Sequence, residues 1–176
     1  MKFTHYIAKE WNYGGKYEYS DKVYDKKSAR FNNSANLETH REDTRNSIEL
    51  WVKKFIGKYS IKLKEKSYIN NGNDSYQDYY DYDSHHGYIT LSGSFLKDNR
   101  LSLSYTADFE KKNYFDRVAV NTAREDRATQ HGLSAYYTIN KKWTFSYNFT
   151  QKQASSNAAS GEFIDITNKI GLTADF

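Results

Sequence analysis

The stretch that decides the fold is Phe163-Ile-Asp-Ile-Thr-Asn-Lys-Ile-Gly-Leu-Thr-Ala-Asp-Phe176. Ile164, Ile166, Ile170, Leu172, Ala174 and Phe176 share one parity, and Asp165, Thr167, Lys169, Gly171, Thr173 and Asp175 share the other; only Asn168 is out of phase. Side chains of a strand alternate between faces, so a period of two over this length predicts a strand with one apolar wall and one hydrated wall. Every other segment can be phased against it.

Within that stretch Lys169, Gly171, Ala174 and Phe176 resemble the C-terminal signal that the barrel-assembly machinery reads in outer-membrane proteins. The signal is a polar residue, a glycine, an apolar residue and a terminal aromatic at fixed offsets. The resemblance makes these four residues the candidate assembly signal and the assembly machinery a candidate partner.

The chain has 176 residues, with 17 Tyr and 10 Phe but one Met and no Pro or Cys. Abundant Tyr, Phe, Thr, Ser and Ile favour strands. The mean hydropathy is −0.95, and the sequence has no run of about 20 apolar residues such as a spanning helix needs. This does not exclude spanning strands, which need only every second residue of about 9–11 to be apolar. A soluble sandwich would show the same alternation. Without Cys there is neither a disulfide framework nor thiol chemistry. A net charge of +4 with no basic block among aromatics argues against a nucleic-acid partner. Residues 1–11 lack an apolar signal-peptide core, which fits either a processed chain or a start inside a longer protein.

In chain order, Met1–Tyr13 reads as a weak strand, Gly14–Gly15 as a tight turn and Lys16–Tyr24 as the returning strand. Residues 25–44 lack any period and read as a long loop. Arg45–Lys54 and Tyr59–Leu63 form a hairpin around Gly57. A second long loop, 70–84, is followed by His86–Lys97, a turn at Asp98–Asn99 and Arg100–Lys111. A third, 112–125, precedes Arg127–Ile139, a turn at Asn140–Lys141 and Trp143–Thr150. A small polar loop then leads to the last strand.

Short turns and long loops alternate strictly along about nine strands, the layout of an outer-membrane barrel with periplasmic turns and extracellular loops. The expected fold is therefore all-β, an antiparallel up-and-down transmembrane β-barrel, one domain over 1–176 with weaker strands in 1–44 and clear hairpins in 45–176. Single-chain bacterial barrels have even strand numbers. Nine strands leave three explanations: a piece of a larger even-numbered barrel, a sheet shared by several chains, or a misassigned early strand; the first is favoured. A short repeat, Arg41-Glu42-Asp43 and Arg124-Glu125-Asp126, precedes two of the hairpins, as hairpin duplication would produce.

His85 and His86 stand near Asp81, Asp83 and Ser84, but neighbours in a strand point to opposite faces, so the cluster reads as rim residues. No catalytic, metal or cofactor site is expected, and the chain is read as not an enzyme. Tyr76, Tyr79, Tyr80 and Tyr82 with Asp78 and Asp81 offer ring faces and carboxylates suited to a sugar. The same tyrosines also suit a membrane-interface girdle. The hydrated face carries Ser, Thr, Asn, Asp and Glu, with no ring of one charge.

The run from Arg124-Glu125-Asp126 through Gly132–Tyr137, Trp143–Phe149 and Ser155-Ser156-Asn157 to the closing strand is similar to the C-terminal region of outer-membrane porins encoded with exopolysaccharide systems. It also resembles the hairpin arrays of barrels that sheathe electron-transfer cytochromes and, less closely, the barrel of surface-lipoprotein assembly modifiers. The likeness covers roughly the last hundred residues. It implies a bacterial outer-membrane location, lipid as a partner, and a pore or export conduit for polysaccharide or other polar solutes. The alternatives are a non-conducting scaffold for a periplasmic or lumenal partner protein and a soluble sugar-binding β protein.

Overall fold

The computed structural model describes residues 2–8, 10–30, 35–73, 81–119, 122–158 and 162–174. Nine strands form one antiparallel sheet in chain order: β1 Lys2–Ala8, β2 Trp11–Arg30, β3 Ala35–Ile56, β4 Tyr59–Gly72, β5 Tyr82–Phe95, β6 Leu101–Ala119, β7 Thr122–Thr138, β8 Trp143–Ser156 and β9 Phe163–Ala174. Every strand pairs with its sequence neighbour, the up-and-down order expected of linked hairpins.

The β1–β2, β3–β4, β5–β6 and β7–β8 connections lie at one end of the sheet. Gly57, at φ 58, occupies the first central position of the β3–β4 turn, where a two-residue hairpin demands a positive angle. A single 3-10 turn, Lys97–Asn99, joins β5 to β6. The Asn140 side chain accepts hydrogen bonds from the backbone N–H groups of Lys142 and Trp143 at 2.9 and 3.1 Å, closing the β7–β8 turn.

Two expectations need correction. Gly14 and Gly15 are not a turn; they lie inside β2, opposite Trp51 and Leu50. A Cβ on Gly14 would fall 2.6 Å from the Trp51 ring and from the Phe3 carbonyl, and one on Gly15 would meet the Phe3 ring at 2.6 Å. These glycines make room for bulky neighbours instead of bending the chain. Much of 25–44 and 112–125 is strand rather than loop: β2, β3, β6 and β7 continue past the apolar stretch as long hairpin arms whose pairing tolerates polar side chains on both faces.

The expected closure is also absent. The sheet is open, and among the described residues β1 and β9 are edges. With nine alternating strands β1 and β9 run the same way, so an antiparallel seam between them is impossible.

The register is sheared. A row of directly paired residues that starts at Trp11 passes through Lys54, Ile61, Leu91, Tyr105, Leu133 and Phe149 and reaches Asn168, well above Ala174 at the foot of β9. Such an offset tilts the strands against the line of turns.

The two faces differ in an unusual sense. The large hydrophobic side chains exposed on the strands lie, with the exceptions of Tyr136 and Phe163, on the parity of Leu101, Leu103 and Tyr105. Ile170 of that face is 74% exposed. The buried polar residues, Arg41, Asp43, Ser47, Ser60, Asn70 and Ser84, all project from the opposite face. In a single sheet, crowding on one side and splaying on the other mean curvature toward the crowded side. The polar face is the concave one.

Candidate functional site

The concave polar face is built from the alternate positions of β2 to β8. Near the long-arm end it carries a belt of charges and tyrosines. Arg41 pairs with Asp43, Asn70 Nδ2 donates to Asp43 Oδ2 at 3.4 Å, and Arg45 reaches Asn70 Oδ1 at 3.2 Å and the Tyr82 hydroxyl at 3.1 Å. Further round, Ser84 Oγ donates to Glu110 Oε1 at 3.2 Å, and His86 lies between Asp108 (3.4 Å) and Glu110 (3.3 Å). Cations sit on the tyrosine faces: Arg45 over Tyr68 at 4.6 Å, Lys112 over Tyr82 at 4.7 Å and Arg124 over Tyr114 at 5.0 Å. Buried polar groups are costly unless partnered, and interleaving guanidinium, carboxylate and ring faces satisfies them.

The repeated tripeptide has a repeated geometry. Arg41 Nε donates to Asp43 Oδ1 at 2.7 Å, and Arg124 Nε donates to Asp126 Oδ1 at 2.8 Å. The backbone N–H of Glu42 donates to Asn73 Oδ1 and that of Glu125 to Asn157 Oδ1, both at 2.9 Å. Asn73 N–H returns to the Glu42 carbonyl and Asn157 N–H to the Glu125 carbonyl. Arg41 covers the ring of Tyr24 as Arg124 covers that of Tyr114. Each copy locks the outer ends of three strands. Asp126 lies beyond the apolar stretch of β7; burial pushes its carboxyl up, but Arg124 and the Ser156 hydroxyl outweigh this and hold it below the usual value.

Closer to the turns the face changes character. On β4 its charged residues are all lysines, Lys62, Lys64 and Lys66, and Lys53 of β3 stands directly opposite Lys62. Beside them Thr90, Ser92, Ser102, Ser104 and Thr106 line β5 and β6 with hydroxyls. A recess of about 460 Å³ lies at this end, lined among others by Lys53, Phe55, Tyr136 and the serines 92, 94 and 104.

No family model, curated protein or solved structure matches the chain. The functional reading therefore rests on the geometry.

Of the expected sugar-contact residues, Tyr82 belongs to the belt and Asp81 accepts the Gly72 backbone N–H at 2.6 Å, so both tie strand ends together. Tyr76, Asp78, Tyr79 and Tyr80 lie outside the described residues. Of the assembly signal, Lys169 and Gly171 sit on the polar face opposite Asn148 and Ser146, and Ala174 pairs with Trp143 on the apolar face; Phe176 lies outside the described residues.

His85 and His86 take opposite faces. His86 joins the belt, whereas His85 on the convex side meets Ser67 Oγ through Nδ1 at 2.9 Å and Asp83 Oδ2 through Nε2 at 3.1 Å. A hydroxyl, imidazole and carboxylate in sequence resemble a nucleophilic relay, yet Ser67 sits mid-strand with both flanks paired. The backbone N–H groups needed to hold an oxyanion are committed to the sheet. Among the described residues no group of three His, Asp or Glu side chains is placed to hold a metal ion.

Parity alone marks Lys62, Lys64 and Lys66 as sharing a face. Their confrontation with Lys53 follows only from the β3–β4 register.

Proposed function

We propose that the chain is the wall of a bacterial outer-membrane β-barrel whose polar face lines a conduit for polysaccharide or other polar solutes. The observation that carries the reading is the inversion of burial: the convex face is apolar and exposed, the concave face polar and crowded. Soluble domains do not leave an apolar face this continuous open to water, and a spanning barrel requires it on the lipid side. A belt of Trp11, Tyr59, Phe95, Tyr137 and Trp143 at the turn end of the convex face supports it, since aromatic rings gather at membrane interfaces. At the other end of that face the residues become Ser67, His85, Lys111 and Arg127, which bounds the apolar band.

Unpaired backbone groups at β1 and β9 would each cost several kcal/mol in lipid, so further strands complete the cylinder in this reading. The test is reconstitution of the full-length protein, with detergent partitioning followed by planar-bilayer recording. Stable conductance steps are expected. Solubility without detergent would overturn the membrane reading; membrane insertion without conductance would leave a scaffold for a partner protein.

A further inference from the structure

We propose that Lys53, Lys62, Lys64 and Lys66 form an anion-binding track on the polar face, and that the solute it takes is a carboxylated saccharide. The inference rests on the conduit reading and names its substrate class.

Three features carry it. The first is charge placement. Alternate residues of a strand are separated by about 7 Å, so Lys62, Lys64 and Lys66 set three ammonium groups in a line along β4. Lys53 is the direct cross-strand partner of Lys62. Like charges placed opposite one another destabilise a sheet, and a bound anion between them reverses the sign of that interaction. Glu49 approaches the column at Lys64, 3.5 Å away, and Glu18 of β2 interacts with Lys66, so the lysines of the track outnumber these two carboxylates.

The second is the way the lysines are held. Lys53 lies over Phe55 at 4.4 Å, Lys62 over Trp51 at 5.0 Å and Lys64 over Tyr88 at 3.8 Å. The ammonium groups themselves rest on ring faces, and these rings belong to the concave side. The rings add flat apolar surface of the kind that a pyranose face covers.

The third is the surround. Thr90, Ser92, Ser104 and Thr106 present hydroxyls next to the lysines, and the recess beside Lys53 is lined by serines with Phe55 and Tyr136. Hydroxyls, rings and fixed ammonium groups together match a sugar that carries carboxylates. A neutral saccharide has no use for the lysines, and a simple inorganic anion has none for the rings.

The experiment uses the full-length protein in planar bilayers. Reversal potentials in a KCl gradient give the anion preference, and current block is titrated with oligogalacturonate and, separately, with maltooligosaccharide of the same length. Anion preference is expected, with oligogalacturonate blocking at least about tenfold more tightly, a difference of about 1.4 kcal/mol. Lys62→Gln with Lys64→Gln should shift the reversal potential toward cations and weaken that block several-fold, while Lys97→Gln, on the β5–β6 turn, changes neither. Conductance without anion preference, or equal block by the two saccharides, overturns the track and leaves the conduit standing. No conductance overturns the conduit and the track with it. The wild-type measurements alone decide between these outcomes should the double variant fail to assemble.

Discussion

Asn168 is the one polar residue on the apolar face of the last strand, and its neighbour across the sheet explains why it is tolerated. The Tyr147 hydroxyl donates to Asn168 Oδ1 at 2.8 Å. The same device recurs twice on the convex face, where Tyr17 donates to Asn46 at 2.8 Å and the Tyr105 hydroxyl meets His131 Nδ1 at 2.7 Å. Three times a polar atom on the apolar side is matched by a tyrosine from the adjacent strand. In water such an exposed bond contributes little; in hydrocarbon an unmade one costs its full desolvation. Tyr147→Phe should therefore destabilise the protein folded in lipid vesicles by about 1–3 kcal/mol. Asn168→Ile introduced into that variant should restore most of the loss. Urea unfolding in vesicles followed by tryptophan fluorescence measures both, and a Tyr147→Phe loss near zero would mean that this face is wet. Period two revealed the misfit at Asn168, but the compensating hydroxyl lies on a different strand, |i−j| = 21 away, and only register brings it there.

At the scale of elements, local pattern succeeded where one face is uniformly apolar and failed where both faces are polar. The hairpins around Gly57, Asp98 and Asn140 could be read because alternation and turn chemistry agree. The long arms of β2–β3 and β6–β7 lack alternation and read as loops in sequence, yet ladder bonds pair them. The Arg-Glu-Asp repeat was visible as three letters, while its asparagine partners lie 31 and 32 residues further on. Each locks an arm to the next hairpin, so the locks should dominate the stability of the arms. Asp126 titrates below its usual 3.8 in the folded chain, so its ion pair stabilises the fold above that value and the contribution is lost as pH falls through the lower folded value. Asp126→Asn should accordingly loosen the arms of β6–β8 at pH 7, seen as faster amide exchange at residues 122–127. The gap between variant and wild type should close as the pH is lowered below 3.8. A gap that persists in strong acid would show that the carboxylate charge is not what holds the arms.

At the scale of the whole molecule, strand order was legible, because strands that follow one another through hairpin turns pair with their sequence neighbours. Curvature, shear and the open edges were not, because they arise from how neighbouring strands are offset. The offset joins the nine strands into one surface with an apolar, exposed face and a polar, more buried one. If that surface faces lipid, solvent access must alternate along each strand and change hand with parity. The absence of cysteine allows single cysteines to be placed without background. Along β5, Ile89→Cys and Leu91→Cys, on the convex face, should be shielded from a membrane-impermeant maleimide in vesicles, and a bimane label at either should be quenched by brominated lipid tails. Thr90→Cys and Ser92→Cys, on the concave face, should react with the maleimide and escape the quenching. The contrast should disappear at His85→Cys, level with Ser67 and Lys111, where the apolar band ends and both faces meet water. Uniform labelling of 89–92 would place both faces in water and remove the physical reason for an exposed apolar face, whereas alternation that fades at 85 locates the edge of the bilayer on the strand itself.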